Sequence, residues 1–134
     1  MADGNIDGGG TEVLNRQLSI LVVEDEPFIR LGAVGMLETA GFKVYEAADA
    51  DEAISILERV PDIWAIFTDI DMPGSMDGIR LAHAVRDRWP PVHIFIASGH
   101  RTPEEKELPD KALFFSKPYD EASVIATFHT LRVG

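Results

Sequence analysis

Glu24 and Asp25, Asp69, Ser98 and Lys117 have side chains that could act together, and each stands where a short apolar run stops. Leu18–Val23 runs into Glu24 and Asp25, Ile63–Thr68 into Asp69, Ile94–Ala97 into Ser98, and Leu113–Ser116 into Lys117 and Pro118. If the four runs are neighbouring strands of one parallel sheet, two acids, a lone Asp, a hydroxyl and an amine gather at its carboxyl edge. Open α/β sheets bind their ligands at that edge. The set suits magnesium-dependent transfer of a phosphoryl group to a carboxylate. Mg²⁺ prefers hard oxygen ligands and neutralises phosphoryl charge. A strand-end carboxylate can attack phosphorus to give an acyl phosphate. A hydroxyl can donate to a phosphoryl oxygen without adding charge, and an ammonium can clamp the charge that moves. Taken singly, each residue has a plainer reading. Asp69 would be a surface or capping Asp, Glu24-Asp25-Glu26 the acidic start of a helix favoured by its dipole, and Ser98 an ordinary strand-end serine.

The elements that must position these residues follow from the apolar pattern. The runs are continuous, not alternating, as in strands buried on both faces of a parallel sheet. Lys43–Ala47 is a weaker fifth run. Helix-period stripes lie between them: Ile29, Ala33, Met36, Leu37 and Ala40; then Ala50, Ala53, Ile54 and Leu57; then Leu81, Ala82, Val85 and Trp89; and last Val124, Ile125, Phe128 and Leu131. Pro27 suits the first turn of the first helix and Gly41 its stop. Asp49 with Glu52 has capping-box spacing. Thr102, Pro103 and Glu105 read as N-cap, N1 and capping-box residues of a helix of one or two turns ended by Pro109. Strict alternation of strand and helix predicts an α/β, doubly wound, five-stranded parallel sheet with right-handed crossovers. The common order for such a sheet is 2-1-3-4-5, the flavodoxin-like arrangement. Strands 1, 3, 4 and 5 then share one edge.

Composition bounds the alternatives. A length of 134 residues favours one domain with a real core. The Gly-rich, polar stretch 1–17 reads as a flexible N-terminal arm, leaving 18–134 as the folded domain. Without cysteine there is no disulfide, thiolate metal site or Cys nucleophile, which is compatible with a cytoplasmic location. A net charge of −11 opposes direct binding to nucleic acid. No apolar stretch has the roughly 20 residues of a membrane span, and the N-terminus has no secretory signal pattern. His83, His93, His100 and His129 lack paired metal-ligand spacing, and there is no G-x-x-x-x-G-K-[ST] loop.

The stretches ILVVEDEP (20–27), FTDIDMPG (67–74), MDG (76–78), IASG (96–99) and FFSKP (114–118) resemble, in order and spacing, the receiver (CheY-like) domain of bacterial two-component response regulators. The resemblance implies a phosphorelay. Asp69 is the phosphoacceptor. Glu24, Asp25, Asp69 and the backbone carbonyl of Asp71 hold Mg²⁺. Ser98 and Lys117 contact the phosphoryl group, and Ser98 and Phe114 move in the switch. Asp71 and His100 tune hydrolysis, and the Lys117–Pro118 bond is cis. Its implied partners are a sensor histidine kinase or phosphotransfer protein upstream and a protein target downstream, the chain being a monomer or a phosphorylation-dependent dimer. It implies a phosphoacceptor with self-phosphorylation and self-dephosphorylation chemistry, not an enzyme with a separate substrate. The chain departs from the family pattern in several places. Glu24 stands where Asp is frequent, and Phe114 where Tyr is. The loop 72–78 is one residue longer than is usual in the family, and the segment from Ser98 to Phe114 is shorter, which implies a shortened fourth helix. Two rival readings remain. Asp69-Ile70-Asp71 also resembles the D-x-D start of haloacid-dehalogenase-type phosphatases, which carry it on their first strand. An interaction module that is never phosphorylated is the other; the full set of Asp25, Asp69, Ser98 and Lys117 argues against it.

Overall fold

The structure is a computed structural model and describes residues 17–133. The arm expected over residues 1–17 lies outside them except for Gln17. The elements are β1 (Ser19–Val23), α1 (Pro27–Thr39), β2 (Lys43–Ala47), α2 (Ala50–Arg59), β3 (Ile63–Asp69), α3 (Gly78–Arg88), β4 (His93–Ser98), a 3₁₀ turn (Glu105–Glu107), β5 (Leu113–Ser116) and α4 (Glu121–Val133). All five strands are parallel, in the order β2-β1-β3-β4-β5. The predicted doubly wound, flavodoxin-like sheet is the observed one.

Both faces of the sheet are covered, which is why its central strands read as unbroken apolar runs. Leu21, Val23, Ile66, Ile94 and Ile96 pack with Ala53, Leu57, Leu81 and Val85 of α2 and α3. Ile20, Val22, Phe67, Phe95 and Ala97 pack with Leu37 of α1 and Val124 and Phe128 of α4. The Phe95 and Phe128 rings stack with centroids 3.9 Å apart. A bulge sets which β3 residues face which side. Ser19 pairs with Ile63 but Ile20 with Ala65, so Trp64 is an extra residue. From Ala65 on, alternate residues point to the α1/α4 side.

Helix ends follow local chemistry. Glu26 caps α1 by accepting from the Phe28 amide at 2.7 Å, with Pro27 at the first helical position. Gly41 follows α1 at φ 100°, a left-handed conformation that costs glycine little. Asp49 accepts from the Glu52 amide at 2.9 Å, but Glu52 reaches back to the Ala48 amide at 2.7 Å, one residue before the cap. The α1 stripe is rotated from expectation. Ala33, Val34 and Leu37 are its buried residues, while Ile29, in the first turn, overhangs the sheet edge and is exposed.

The fourth crossover, expected as a shortened helix, is a single 3₁₀ turn. Its cap is Glu104, not Thr102, with the box closed by Glu107 on the Glu104 amide at 2.8 Å. Two prolines account for this. A residue preceding proline is pushed out of the helical region, and Leu108, before Pro109, is extended. Only Glu104–Glu107 remain between the two constraints, room for i→i+3 bonds alone. In place of a helix, α3 holds the segment: His83 Nε2 donates to the Glu107 carbonyl at 2.7 Å and Arg86 Nε to the Asp110 carbonyl at 2.9 Å.

Gly78 opens α3 against the end of β3. Its amide donates to the Ile70 carbonyl at 2.8 Å. A Cβ at Gly78 would land on the Asp69 carbonyl oxygen, with the Asp69 carbonyl carbon at 2.8 Å and Ile70 Cα at 2.9 Å. Rigid backbone cannot give way as a side-chain tip can. Gly78→Ala is therefore expected to cost about 3 kcal/mol in stability, at the upper end for overpacking, read from the urea midpoint of unfolding; a shift below ~0.5 kcal/mol would contradict it.

Candidate functional site

Strand parity brings the charged side chains together. Glu24 follows Val22, Asp69 follows Phe67 and Lys117 follows Phe115, three residues on the α1/α4 side of the sheet. Ladder bonds continue past the strand ends and hold the backbone there. The Glu24 amide donates to Ala47 O at 3.0 Å, the Ile70 amide to Ala97 O at 3.2 Å, and the Lys117 amide to Ser98 O at 2.9 Å. The Lys117–Pro118 peptide bond is cis. Lys117 Nζ donates to Glu24 Oε1 and to Asp69 Oδ1, each at 3.1 Å. The side chains of Glu24 and Asp69 keep only 7% and 11% of their exposure, so this is a partly desolvated pair of ion pairs sharing one cation.

That sharing decides the protonation balance. Burial alone lowers an ammonium pKa and is the largest single influence on Lys117. The hydrogen bonds and charges of two carboxylates together outweigh it and raise Lys117 above its ordinary value. Among the described residues, each carboxylate is paired with that one cation. Burial therefore prevails and holds both Glu24 and Asp69 above the ordinary carboxylate range, the Asp71 charge adding to the effect on Asp69.

Asp25 is exposed at the mouth of the site. One carboxylate oxygen from each of Glu24, Asp25 and Asp69 lies within 4.8 Å of the others. Three carboxylates against one ammonium leave an excess of negative charge on hard oxygen atoms, which suits a divalent cation such as Mg²⁺. The Glu24 backbone is held by Arg30, which donates from Nη1 to the Glu24 carbonyl at 2.8 Å and from Nε to Glu46 Oε1 at 3.1 Å. The Glu24 carboxylate also accepts from the Glu26 amide at 3.1 Å.

Ser98 does not join the ion pairs. It follows Ile96, on the α2/α3 side, and is buried. Its Oγ donates to Asp71 Oδ2 at 3.4 Å and accepts from the His100 and Arg101 amides at 3.2 and 3.4 Å. The His100 side chain is exposed. Phe114 is half-buried against the α2/α3-side core. Tyr119 packs on Phe67 with ring centroids 5.7 Å apart, and burial pushes its hydroxyl pKa up, so it belongs to the core edge. The long loop is tied to α2 by Ser75 Oγ, which donates to Asp51 Oδ1 at 2.7 Å.

Comparison with known proteins decides the family. The model of the response regulator receiver domain matches residues 20–128. The chain belongs to the receiver domain family. It is 31% identical over 118 residues to the sensor kinase CckA of Brucella abortus, covering 85% of this chain and 12% of that protein. It is 36% identical over 89 residues to a putative NtrX-like response regulator of Rickettsia felis, covering 66% of this chain and 18% of that one. A response regulator receiver protein of Sinorhizobium medicae superposes with a TM-score of 0.79 at 26% identity, covering 87% of this chain and 98% of the other. The receiver thus spans less than a fifth of the length of those two curated relatives. The match favours the receiver reading of Asp69-Ile70-Asp71, whose Asp69 ends the third strand.

Two contacts of this receiver were not visible in its sequence. Arg30 sits one helical turn past the acidic pair, but its partners are the Glu24 carbonyl just past β1 and the Glu46 carboxylate on β2. The Asp71–Ser98 contact joins residues 27 positions apart. The family resemblance itself implies the Lys117–Asp69 pair. Nothing in residue spacing pointed to the other two.

Proposed function

We propose that this receiver accepts a phosphoryl group on Asp69 from the phosphohistidine of a sensor histidine kinase or of a phosphotransfer protein. The observation that carries the reading is the Lys117 ammonium bridging Asp69 and Glu24 beside the Asp25 carboxylate. An Asp69 carboxylate oxygen forms the new bond to phosphorus while the phosphorus–nitrogen bond of the donor breaks, and the imidazole leaves with the bonding electron pair. Glu24, Asp25, Asp69 and the Asp71 carbonyl would hold Mg²⁺. Bound there, the ion supplies charge neutralisation for the arriving phosphoryl oxygens. Lys117 exchanges an Asp69 oxygen for a phosphoryl oxygen and keeps its charge paired. Ser98, drawn across to donate to another phosphoryl oxygen, shifts the balance between two conformations of the β4–β5 region. His100 and Phe114 flank that movement, His100 near the phosphoryl group and Phe114 on β5. A downstream protein reads the shifted face.

In this reading the chain is a phosphoprotein with self-phosphorylation and self-dephosphorylation chemistry, not an enzyme acting on a separate substrate. It works in the cytoplasm, as a monomer or a phosphorylation-dependent dimer. Among the described residues no helix is long and apolar enough to cross a membrane.

Incubation with Mg²⁺ and acetyl phosphate, followed by intact mass, should show one added phosphoryl group that is lost when Mg²⁺ is chelated. No adduct with acetyl phosphate or a phosphohistidine donor would overturn the reading. Asp25→Asn is expected to weaken Mg²⁺ binding by about tenfold or more, since a carboxylate is the strongest ligand type this site offers the ion. Calorimetric titration checks this, and unchanged affinity would remove Asp25 from the metal set.

A further inference from the structure

We propose that Asp71 is a positioning residue that holds the Ser98 hydroxyl out of the phosphoryl site and so sets the resting bias of the switch. The inference rests on the receiver reading above and names what regulates that site.

A serine hydroxyl has one proton to donate. In this structure the Ser98 proton goes to Asp71 Oδ2, at 3.4 Å, and its oxygen accepts two backbone amides. While that arrangement lasts, Ser98 cannot donate to a group on Asp69. The placement follows from the sheet. Asp69 pairs with Ala97, so Ser98 stands level with Ile70, and the chain leaving β3 carries Asp71 past it. Parity turns Ser98 towards the α2/α3 side and Asp69 towards the α1/α4 side. Among the described residues no other hydrogen bond reaches the Asp71 carboxylate. Its partner Ser98, by contrast, is only 1% exposed.

The contact is long for an O–H···O bond, so it holds weakly and can be broken. A phosphoryl group on Asp69 would offer Ser98 a more highly charged acceptor and would repel the Asp71 carboxylate. Both effects release the hydroxyl in the same direction. The consequences run along the chain. Ser98 Oγ also anchors the His100 and Arg101 amides, the Arg101 guanidinium reaches both Glu107 carboxylate oxygens at 3.4 Å, and the Glu107 carbonyl is held by His83. Freeing Ser98 thus loosens the entry to the segment that replaces a helix here.

Two readouts test this, with wild type, Asp71→Ala, Ser98→Ala and the double variant. Asp71→Ala keeps the backbone carbonyl proposed as a metal ligand. The first readout needs no ligand: hydrogen exchange of the His100 and Arg101 amides in the unphosphorylated chain. Asp71→Ala should speed exchange about twofold, the low end for a single hydrogen bond, and should add nothing in the Ser98→Ala background. The second is affinity for beryllofluoride at saturating Mg²⁺. Asp71→Ala should bind about twofold tighter than wild type, with a smaller gain once Ser98 is alanine, where only the relieved repulsion remains. Unchanged exchange, or an affinity gain of the same size with and without Ser98, would overturn the role of Asp71 while leaving the phosphoacceptor reading intact. A wild-type chain that fails to bind beryllofluoride would overturn both.

Discussion

Asp69→Asn is expected to abolish the phosphoryl adduct completely while leaving the fold intact. The amide cannot form a stable acyl phosphate, and among the described residues no other carboxylate is bonded to Lys117 except Glu24, which is buried and tied to both the Lys117 ammonium and the Glu26 amide. Burial holds the Asp69 carboxyl above the ordinary range, which means that folding disfavours its charged form relative to the unfolded chain. A neutral isostere at this position should therefore leave stability at pH 7 unchanged or raised. Intact mass after treatment with acetyl phosphate and Mg²⁺, set beside thermal unfolding of the same two proteins, separates the effects. A residual adduct at wild-type level would move the acceptor to another residue. A large loss of stability would show that the ion pair to Lys117 outweighs the burial of the charge.

Lys117→Met is expected to have the largest effect on stability of any substitution in the site. It leaves Glu24 and Asp69 desolvated with no counter-charge. Breaking a buried ion pair by removing one partner costs roughly 3–5 kcal/mol. Because Lys117 keeps 23% of its side-chain exposure, water screens part of that, and about 2 kcal/mol is the expected loss at pH 7. Methionine preserves most of the packing of the lysine stem, so the loss reads charge more than volume. The pH dependence has a definite sign. Glu24 and Asp69 already titrate above their ordinary values through burial, and removing the ammonium raises them further. A carboxyl whose folded pKa is raised stabilises the fold when protonated, and that contribution is lost as pH rises through the folded value. The deficit of the variant should therefore shrink on acidification, from neutral pH down towards the ordinary carboxylate pKa of about 4. Chemical unfolding at a series of pH values measures it. A deficit that stayed constant with pH would show that the lost interaction is not with those carboxylates. Phosphoryl transfer should fall as well, since Asp69 loses the cation that holds it.

Much of this molecule is legible in its amino-acid sequence. The five apolar runs are strands, and the site residues stand at the ends of four of them, because burial on both faces leaves a continuous run and the end of a run is visible as a change of polarity. Gly78 shows the limit of such reading. It belongs to the MDG stretch of the family resemblance, and the need for glycine lies in the Asp69 carbonyl, which occupies the place a Cβ would take. Likewise Thr102-Pro103 carried start signals for a helix, yet Pro109, close downstream, left room for one 3₁₀ turn. Two local rules conflicted there, and residue spacing alone did not say which would prevail.

The amino-acid sequence by itself determined the order of elements, the class of sheet and the residues at its carboxyl edge, since these depend on hydrophobic period and on chemistry within a few residues. Only the tertiary structure decided how those edge residues face. The extra residue at Trp64 and the pairing of Asp69 with Ala97 put Asp69 on the side of Glu24 and Lys117 and turned Ser98 towards Asp71. Side-chain direction at a strand end is set by register with neighbours distant along the chain, and a shift of one residue reverses it.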